Sequence, residues 1–226
     1  MNTLHVVVGA TGALGAAIVQ HLRAEELPVR ALARNIDLAE SMLPDDTEIV
    51  AIDALDAASV GAGCQGATVI YNCLYVPEKL AEVTDTLISI AAATGARLVF
   101  PSNSDVYGPP QQTPFPETHP HTATSSRGIR RAGVERALMG AHERGEAQIV
   151  IARLAALYGA HIRGSYMSSV FENAMNGKKA FWLGSLDAPH NVLYVPDAAA
   201  ACVLLGGSAD TTGQAWHITG DGPLTG

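Results

Sequence analysis

Three glycines, Gly9, Gly12 and Gly15, separate a short apolar run at residues 4–8 from a helix-like stretch at residues 16–22. Glycine lets the backbone turn tightly and approach a bound group, and the start of a helix presents free N–H groups to an anion. A buried strand, a glycine turn and a helix in this order are typical of a pyrophosphate site for a dinucleotide. The alternative is a tight strand-to-helix turn without a ligand. The predicted site consists of Gly9, Thr11, Gly12, Ala13, Leu14 and Gly15.

Two charged residues, Arg34 and Asp53, directly follow the next apolar runs, at residues 29–33 and 48–52. The carboxyl ends of successive parallel strands line one crevice, so the residue after the second strand meets the ribose 2′ position of a bound dinucleotide. A carboxylate there would accept from a 2′-hydroxyl, whereas a guanidinium suits a 2′-phosphate. Arg34 therefore favours NADP(H) over NAD(H), unless it is an ordinary solvated cation. Asp53 and Ala54 are predicted cofactor contacts, and Asp53 could also cap the next helix.

Composition restricts the class of protein and of partner. The chain has 226 residues, 48% of them hydrophobic and 16% charged, with a net charge of −8, which is typical of one soluble globular domain. This charge argues against nucleic acid and anionic membranes as partners, and no apolar run approaches the length of a membrane span. The three cysteines are too few and too scattered for disulfides or zinc, so we predict no metal site. We expect a cytoplasmic protein that acts on a small molecule.

The remaining elements must place these residues at one edge of a sheet. Further strands are predicted at residues 67–73, 97–100 and 147–152, with helices between them at residues 78–94 and from about 125 to 145. We expect Pro101 to end the strand before it. This alternation predicts an α/β fold in a single domain (1–226), with a doubly wound, mostly parallel, Rossmann-like sheet. A small C-terminal substrate lobe is expected mainly from residues 160–190 and 213–226, and segment 108–124 should form a lid or pocket wall.

Four motifs resemble those of the extended and atypical short-chain dehydrogenase/reductases, a family also described as NAD-dependent epimerase/dehydratase-like. The motifs are the glycine turn, Ser-Asn-Ser-Asp-Val-Tyr-Gly at residues 102–108, the segment 153–159, and His-Asn-Val-Leu-Tyr-Val-Pro-Asp-Ala at residues 190–198. The resemblance implies that Asn72, Cys73 and Leu74 line the cofactor near its ribose and nicotinamide. It also implies that Leu157 lies beside the nicotinamide carboxamide. Ser102, next to the family's usual serine position, is a further predicted cofactor contact.

The same resemblance reveals departures at the reacting end. Family members that oxidise or reduce carry a Tyr that passes a proton to or from the substrate oxygen, and a Lys four residues later that lowers the pKa of this Tyr and holds the ribose. Alignment through Glu135 puts Arg127 and Arg131 at those two positions. The Ser that orients the substrate carbonyl falls on Asn103. The usual acid is therefore missing, and the triad is remodelled.

Three residues remain as catalytic candidates: Tyr107, Asn103 and Arg131. Arg131 could hold the ribose or a phosphate, or it could be a solvated cation balanced by Glu135 at i+4. Tyr107 is the nearest remaining phenol and could donate a proton, although the corresponding Tyr of the family packs with its hydroxyl satisfied. Asn103 could orient a carbonyl through its amide, or cap the turn after Pro101.

These observations predict an NADP(H)-dependent oxidoreductase of a small carbonyl, alcohol or activated alkene. The alternatives are a non-catalytic NADP(H)-sensing regulator, which keeps the nucleotide site without the Tyr and Lys, and a nucleotide-sugar epimerase or dehydratase. The resemblance implies a homodimer formed through the helices at residues 78–94 and 127–145. Residues 213–226 are few for the family's substrate lobe, so we expect either an open cleft or a further carboxyl-terminal segment.

Overall fold

Strands and helices alternate along the chain, as the sequence predicts. The computed structural model describes residues 3–110, 112–162, 166–182 and 185–225. In chain order the elements are β1 (His5–Val8), α1 (Ala13–Ala24), β2 (Val29–Ala33), α2 (Ile36–Met42), β3 (Glu48–Ala51), α3 (Ala57–Gly63), β4 (Val69–Asn72), α4 (Leu80–Thr94), β5 (Arg97–Asn103), α5 (Ser126–Glu143), β6 (Gln148–Leu154), β7 (Ala156–Tyr158), α6 (Tyr166–Met175), β8 (His190–Tyr194), α7 (Val195–Gly207), β9 (Gln214–Ile218) and β10 (Pro223–Leu224).

Seven strands form one parallel sheet in the order β3-β2-β1-β4-β5-β6-β9. One apolar cluster packs α1 and α7 against the sheet, and a second cluster packs α3, α4 and α5 against it. Strands covered on both faces must be apolar throughout, and β1 and β4 are buried at every residue. The predicted α/β class, with a doubly wound parallel sheet of Rossmann type, is confirmed.

The strand order reverses between β1 and β4, which are neighbours in the sheet. In sheets of this kind a crevice opens at the carboxyl ends of the strands where the order reverses, and ligands bind there. Gly9 directly follows β1 and Cys73 directly follows β4. Arg34 follows β2, and Asp53 comes shortly after β3. All four residues therefore lie at the carboxyl edge of the sheet.

The prediction that Pro101 ends a strand is wrong. β5 continues through Asn103 and pairs with β6 along its whole length, up to Asn103 opposite Leu154. On its other side, the pairing of β5 with β4 stops at Val99. Proline lacks the N–H that a central strand needs, and here it occurs where β5 has a paired neighbour on one side alone. The extension carries Ser102 and Asn103 to the carboxyl edge.

A second sheet has the order β10-β8-β7. Its strand β10 and the helix α6 fall within the predicted C-terminal lobe, whereas β7 and all of β8 except His190 lie outside its predicted bounds. The pair β7 and β8 is parallel, and the pair β8 and β10 is antiparallel. The ring of Tyr158 packs against those of Phe171 and Tyr194, which ties α6 to this sheet. Residues 163–165, 183–184 and 226 of the predicted lobe lie outside the described residues. Its role in substrate binding stays a prediction.

Candidate active site

The glycine turn brings the start of α1 against the end of β4. Gly9 has a φ of +87°, and a Cβ at this position would lie 2.8 Å from the carbonyl oxygen of Cys73, so the turn requires glycine. A Cβ on Gly15 would overlap the carbonyl oxygen of Gly9. Gly12 is the N-cap residue of α1 and supplies no side-chain cap to the first-turn N–H groups. These groups, in the turn that also holds Thr11, Ala13 and Leu14, are available to a phosphate.

Asn72, at the end of β4, carries a buried donor without a partner. Its Oδ1 accepts a hydrogen bond from the N–H of Leu74 at 3.3 Å, while its Nδ2 contacts no acceptor among the described residues. A buried unpaired donor costs about 1–3 kcal/mol, which a ligand with a suitable acceptor would offset. The glycine turn and this donor together fit a dinucleotide. Burial raises the pKa of the neighbouring Cys73 thiol well above its ordinary value, so this side chain is a neutral part of the wall.

The predicted adenosine contacts are exposed. Arg34 makes no hydrogen bond or ion pair within the described ranges. The next residue, Asn35, caps α2, and its Oδ1 accepts from the N–H of Leu38 at 3.0 Å. Asp53 accepts from the N–H of Leu55 at 2.9 Å. The cap of α3 is Asp56 and not Asp53. The contacts of Arg34, Asp53 and the half-buried Ala54 with a cofactor stay predictions.

Tyr107 lies in a buried polar cluster. The residue is 7% exposed, its hydroxyl accepts a hydrogen bond from Arg153, and the same hydroxyl lies 2.7 Å from Nε2 of His217. Burial raises the pKa of Tyr107 although the nearby Arg153 lowers it, so the phenol keeps its proton. This arrangement matches the alternative in which the hydroxyl of Tyr107 is satisfied within the fold. A catalytic role for Tyr107 stays a prediction.

Ser102 and Asn103 both use their side chains within the protein. The hydroxyl of Ser102 is buried and donates to Oε1 of Glu135 at 2.5 Å. Oδ1 of Asn103 accepts from the N–H of Asp105 at 3.1 Å and so caps a single 3₁₀ turn at Ser104–Val106. This is the capping role anticipated as one alternative for Asn103. Neither contact tests whether Ser102 meets a cofactor or Asn103 a substrate carbonyl.

The two arginines at the Tyr and Lys positions have different surroundings. Arg127 is exposed and pairs with Asp105, with 2.7 Å between its Nε and the carboxylate. Arg131 is half-buried above the ring of Phe100, and its Nη1 lies 3.5 Å from the carbonyl oxygen of Pro101. Burial lowers the pKa of Arg131. The expected i+4 partner of Arg131, Glu135, is instead buried and makes its ion pair with another residue.

That partner is Arg153, which sequence reasoning did not assign. Nη2 of Arg153 lies 2.7 Å from Oε2 of Glu135, and both side chains are almost fully buried. Arg153 also donates to Nε2 of His121 at 2.9 Å and to the carbonyl oxygen of Glu117 at 2.7 Å. These contacts attach the long segment 108–124 to the sheet. A signal was present in the sequence, because an arginine within the apolar run of β6 needs a buried partner.

Leu157 lies in β7, opposite Leu193 in β8. It is half-buried and packs against the same apolar cluster as Leu14, which belongs to the glycine turn. Its predicted place beside a nicotinamide is untested by these contacts.

The cysteines are unpaired. Burial raises the pKa of Cys64 to about 11 and that of Cys202 to about 12, so both are neutral core thiols. Within the described part of the chain, no three His, Cys, Asp or Glu side chains come together as a metal site. No described helix has the length and apolar character needed to cross a membrane.

Solved structures share this fold at low sequence identity. The dTDP-glucose 4,6-dehydratase of Bacillus anthracis, in complex with NAD, is 18% identical with a TM-score of 0.86, covering 99% of this chain and 77% of its own. The UDP-glucuronic acid 4-epimerase of Bacillus cereus, in complex with UDP-glucuronic acid and NAD, is also 18% identical, with a TM-score of 0.84 and coverages of 99% and 79%. At such identity the likeness is one of fold.

Sequence comparison finds a relative and a family. The 2'-dehydrokanamycin reductase of Streptomyces kanamyceticus is 26% identical over 233 residues, which include 99% of this chain. The chain spans 64% of the length of that relative. The model of the NAD dependent epimerase/dehydratase family matches residues 5–218, from β1 to the end of β9. The chain therefore belongs to the NAD dependent epimerase/dehydratase family.

Proposed function

We propose that this chain is an NADP(H)-dependent oxidoreductase of a small carbonyl, alcohol or activated alkene. The observation that carries the proposal is the buried Nδ2 of Asn72 beside the glycine turn, which has no hydrogen-bond partner among the described residues. This donor and the uncapped N–H groups of α1 suit a dinucleotide. When bound, the cofactor would exchange a hydride with the substrate. The relative that is named a reductase supports the same class of reaction.

Arg34 supports NADP(H) as the cofactor. It directly follows β2, it is exposed, and no described side chain pairs with it, so its guanidinium is free to meet a 2′-phosphate. The described side chain directly after it, Asn35, is occupied as the cap of α2. The two described residues that directly follow β2, Arg34 and Asn35, include no carboxylate to accept from a 2′-hydroxyl.

The proton in this proposal comes from water or from the substrate itself. Arg127, at the position of the family's Tyr, is a permanent cation paired with Asp105 and does not release a proton near neutral pH. Tyr107 is the other candidate, but Arg153 and His217 already occupy its hydroxyl, and burial raises its pKa. Such a site reduces best those carbonyls whose reduction needs little help from an acid.

The test combines binding and turnover. Purified protein is titrated with NADPH and with NADH while cofactor fluorescence is recorded. It is then supplied with NADPH and a panel of ketones, aldehydes and enones while the absorbance of the reduced nicotinamide is followed. We expect NADPH to bind more tightly than NADH and at least one carbonyl to be reduced. If neither NADPH nor NADH bound, the proposal would be ruled out.

A second candidate function is an NADP(H)-sensing regulator without turnover. The observation that favours it is the engagement of Tyr107 by Arg153 and His217, together with an arginine in place of the family's Tyr. Tight NADPH binding with no oxidation across the whole panel would support the sensor. Turnover of any substrate would exclude it. An epimerase or dehydratase that retains its cofactor needs an acid and a base, so the same two features count against it.

We also propose a cytoplasmic homodimer formed through α4 and α5, which pack side by side on the same face of the sheet. Alanines near the end of α4 leave room for a second helix pair to approach. Light scattering of the purified chain would give the mass directly. A monomer at all accessible concentrations would contradict this part of the proposal.

A further inference from the structure

Three arginines line one cleft beside the end of β4. Arg127, Arg130 and Arg131 come from the first two turns of α5, and the opposite wall comes from the segment that follows β4. The described residues of that wall are Leu74, Tyr75, Val76, Pro77 and Leu80. No carboxylate is among the described lining residues, so the cleft combines an apolar wall with three cationic groups.

Two of these cations make no ion pair with a described carboxylate. Arg127 is neutralised by Asp105 at 2.7 Å, but Arg130 is exposed and makes no ion pair with a described residue. Arg131 has a long contact of 3.5 Å to a carbonyl oxygen, and its buried Nε has no hydrogen-bond partner in the described ranges. A half-buried guanidinium whose N–H groups lack acceptors raises the free energy of the folded protein, unless an anion accepts hydrogen bonds from it.

Among the described arginines outside the cleft, two, Arg34 and Arg136, make no hydrogen bond or ion pair with a described residue, but both are exposed, whereas Arg131 is half-buried. The others are paired. Four of them lie within 3 Å of a carboxylate: Arg23 with Asp46, Arg30 with Glu48, Arg144 with Glu146 and Arg153 with Glu135. The chain has 22 acidic residues against 14 basic ones, so acids are in excess. A half-buried arginine without an ion pair among the described residues, beside a second arginine that makes none, indicates that the missing anion is a ligand.

The cleft adjoins the predicted cofactor groove through Leu74. This residue lines the arginine cleft, and its backbone nitrogen lies 3.0 Å from where a Cβ on Gly9 would be. An anionic group held by the arginines would therefore lie close to the groove that is proposed for the dinucleotide. That is the position expected of a substrate, and the planar fork of arginine matches carboxylate and phosphate oxygens.

We propose that Arg130 and Arg131 bind the anionic group, a carboxylate or a phosphate, of a small carbonyl substrate. This inference rests on the proposed oxidoreductase function and names its class of substrate. The cleft selects oxyanions because an ammonium group would meet three cations, and a neutral carbonyl compound would leave both unpaired guanidinium groups without a partner.

The test compares matched ligands and matched variants by isothermal titration calorimetry. The ligands are dihydroxyacetone phosphate, neutral dihydroxyacetone, pyruvate and inorganic phosphate, each added to the protein with and without saturating NADPH. The variants are Arg130→Gln, Arg131→Gln and the control Arg136→Gln, which makes the same change on the exposed side of α5 outside the cleft. Thermal unfolding checks that each variant folds. The exposed Arg130 keeps the test valid if Arg131→Gln does not fold.

We expect dihydroxyacetone phosphate or pyruvate to bind and dihydroxyacetone not to bind. Each cleft variant should weaken anion binding by about tenfold or more, whereas Arg136→Gln leaves it unchanged. Equal anion binding in all three variants would overturn the proposal. Loss of anion binding when NADPH is bound would also overturn it, because the arginines would then bind the cofactor's own phosphates. Anion binding without any NADPH binding would instead overturn the proposed function and leave the anion site intact.

Discussion

The two ends of the cofactor crevice differ in how closely they follow the pattern of their family. At the β1–α1 end, the backbone packs so closely around Gly9 and Gly15 that a Cβ at either position would clash with a carbonyl oxygen. The Nδ2 of Asn72 is a buried donor at the same end. At the α5 end, alignment through Glu135 puts Arg127 and Arg131 at the positions of the family's Tyr and Lys. The nucleotide end thus has the geometry expected for its proposed ligand, while the reacting end lacks the side chains that the resemblance leads one to expect.

We call the buried ion pair of Glu135 and Arg153, together with Ser102 and Tyr107, the frame of the reacting end. Ser102 hydrogen-bonds to Glu135, and Tyr107 hydrogen-bonds to Arg153. The frame joins α5, β5, β6 and the segment 108–124. A fold can retain this frame while the side chains facing a ligand change, because the frame positions the backbone and the ligand-facing residues set the reaction. Each of the following measurements would break or sharpen this comparison.

The largest effect is expected for Glu135→Ala, which leaves Arg153 buried without its counter-ion. We expect a loss of about 3–5 kcal/mol in the free energy of unfolding, because removal of one partner of a buried pair exposes the full cost of burying the other charge. Urea denaturation followed by circular dichroism measures it. The control is Glu82→Ala, which removes an exposed pair with Lys79 and should change stability by less than about 1 kcal/mol. Equal effects would show that the frame does not hold the reacting end together.

Gly12→Ala tests the nucleotide end without disturbing the fold. A Cβ at Gly12 would lie 3.4 Å from the carbonyl oxygen of Gly9, which the backbone can accommodate, but it would project where the pyrophosphate approaches. We expect NADPH binding to weaken by about 100-fold, or about 2.8 kcal/mol, with unfolding unchanged. Gly61→Ala, whose Cβ would meet its nearest atom at 4.0 Å, is the matched control. Unchanged NADPH affinity in Gly12→Ala would contradict a family-like nucleotide end.

Arg34→Gln sharpens the identity of the cofactor. If the guanidinium pairs with a 2′-phosphate at this exposed site, its loss should weaken NADPH binding by about tenfold, or about 1.4 kcal/mol, and leave NADH binding unchanged. Fluorescence titration with both cofactors gives the ratio. An unaltered preference for NADPH over NADH would show that Arg34 does not read the 2′-phosphate.

Local patterns in the sequence predicted the sheet well and the side-chain pairs poorly. Buried parallel strands are apolar runs, so β1, β2 and β6 can be read directly from the chain. The end of β5 was mispredicted because Pro101 breaks a strand only where a neighbour needs its N–H, and the sequence does not say where pairing with β4 stops.

The site shows the same limit more sharply. Spacing on a helix suggested Glu135 as the partner of Arg131, but the tertiary fold brings Arg153 from β6 to that carboxylate. Arg131 in the α5 cleft therefore lacks the ion pair that helix spacing assigns to it. The glycine turn was easier to predict, since backbone contacts between Gly9, Gly15 and Cys73 depend on residues whose type alone signals the geometry.

The smallest expected effect concerns pH and His217, which contacts the hydroxyl of Tyr107. Burial lowers the pKa of His217, with Arg153 adding to this effect and Glu117 opposing it, and burial also lowers the pKa of His121. The unfolded chain therefore binds protons that the folded chain does not, so stability is fully present above the ordinary histidine pKa of about 6.5 and declines as the pH falls below it. Urea denaturation at about pH 7.5 and about pH 5.5 should show this decline. The decline should be smaller in His217→Gln than in His21→Gln, a control outside the cluster. An identical decline in both variants would show that His217 does not contribute to the pH dependence of stability.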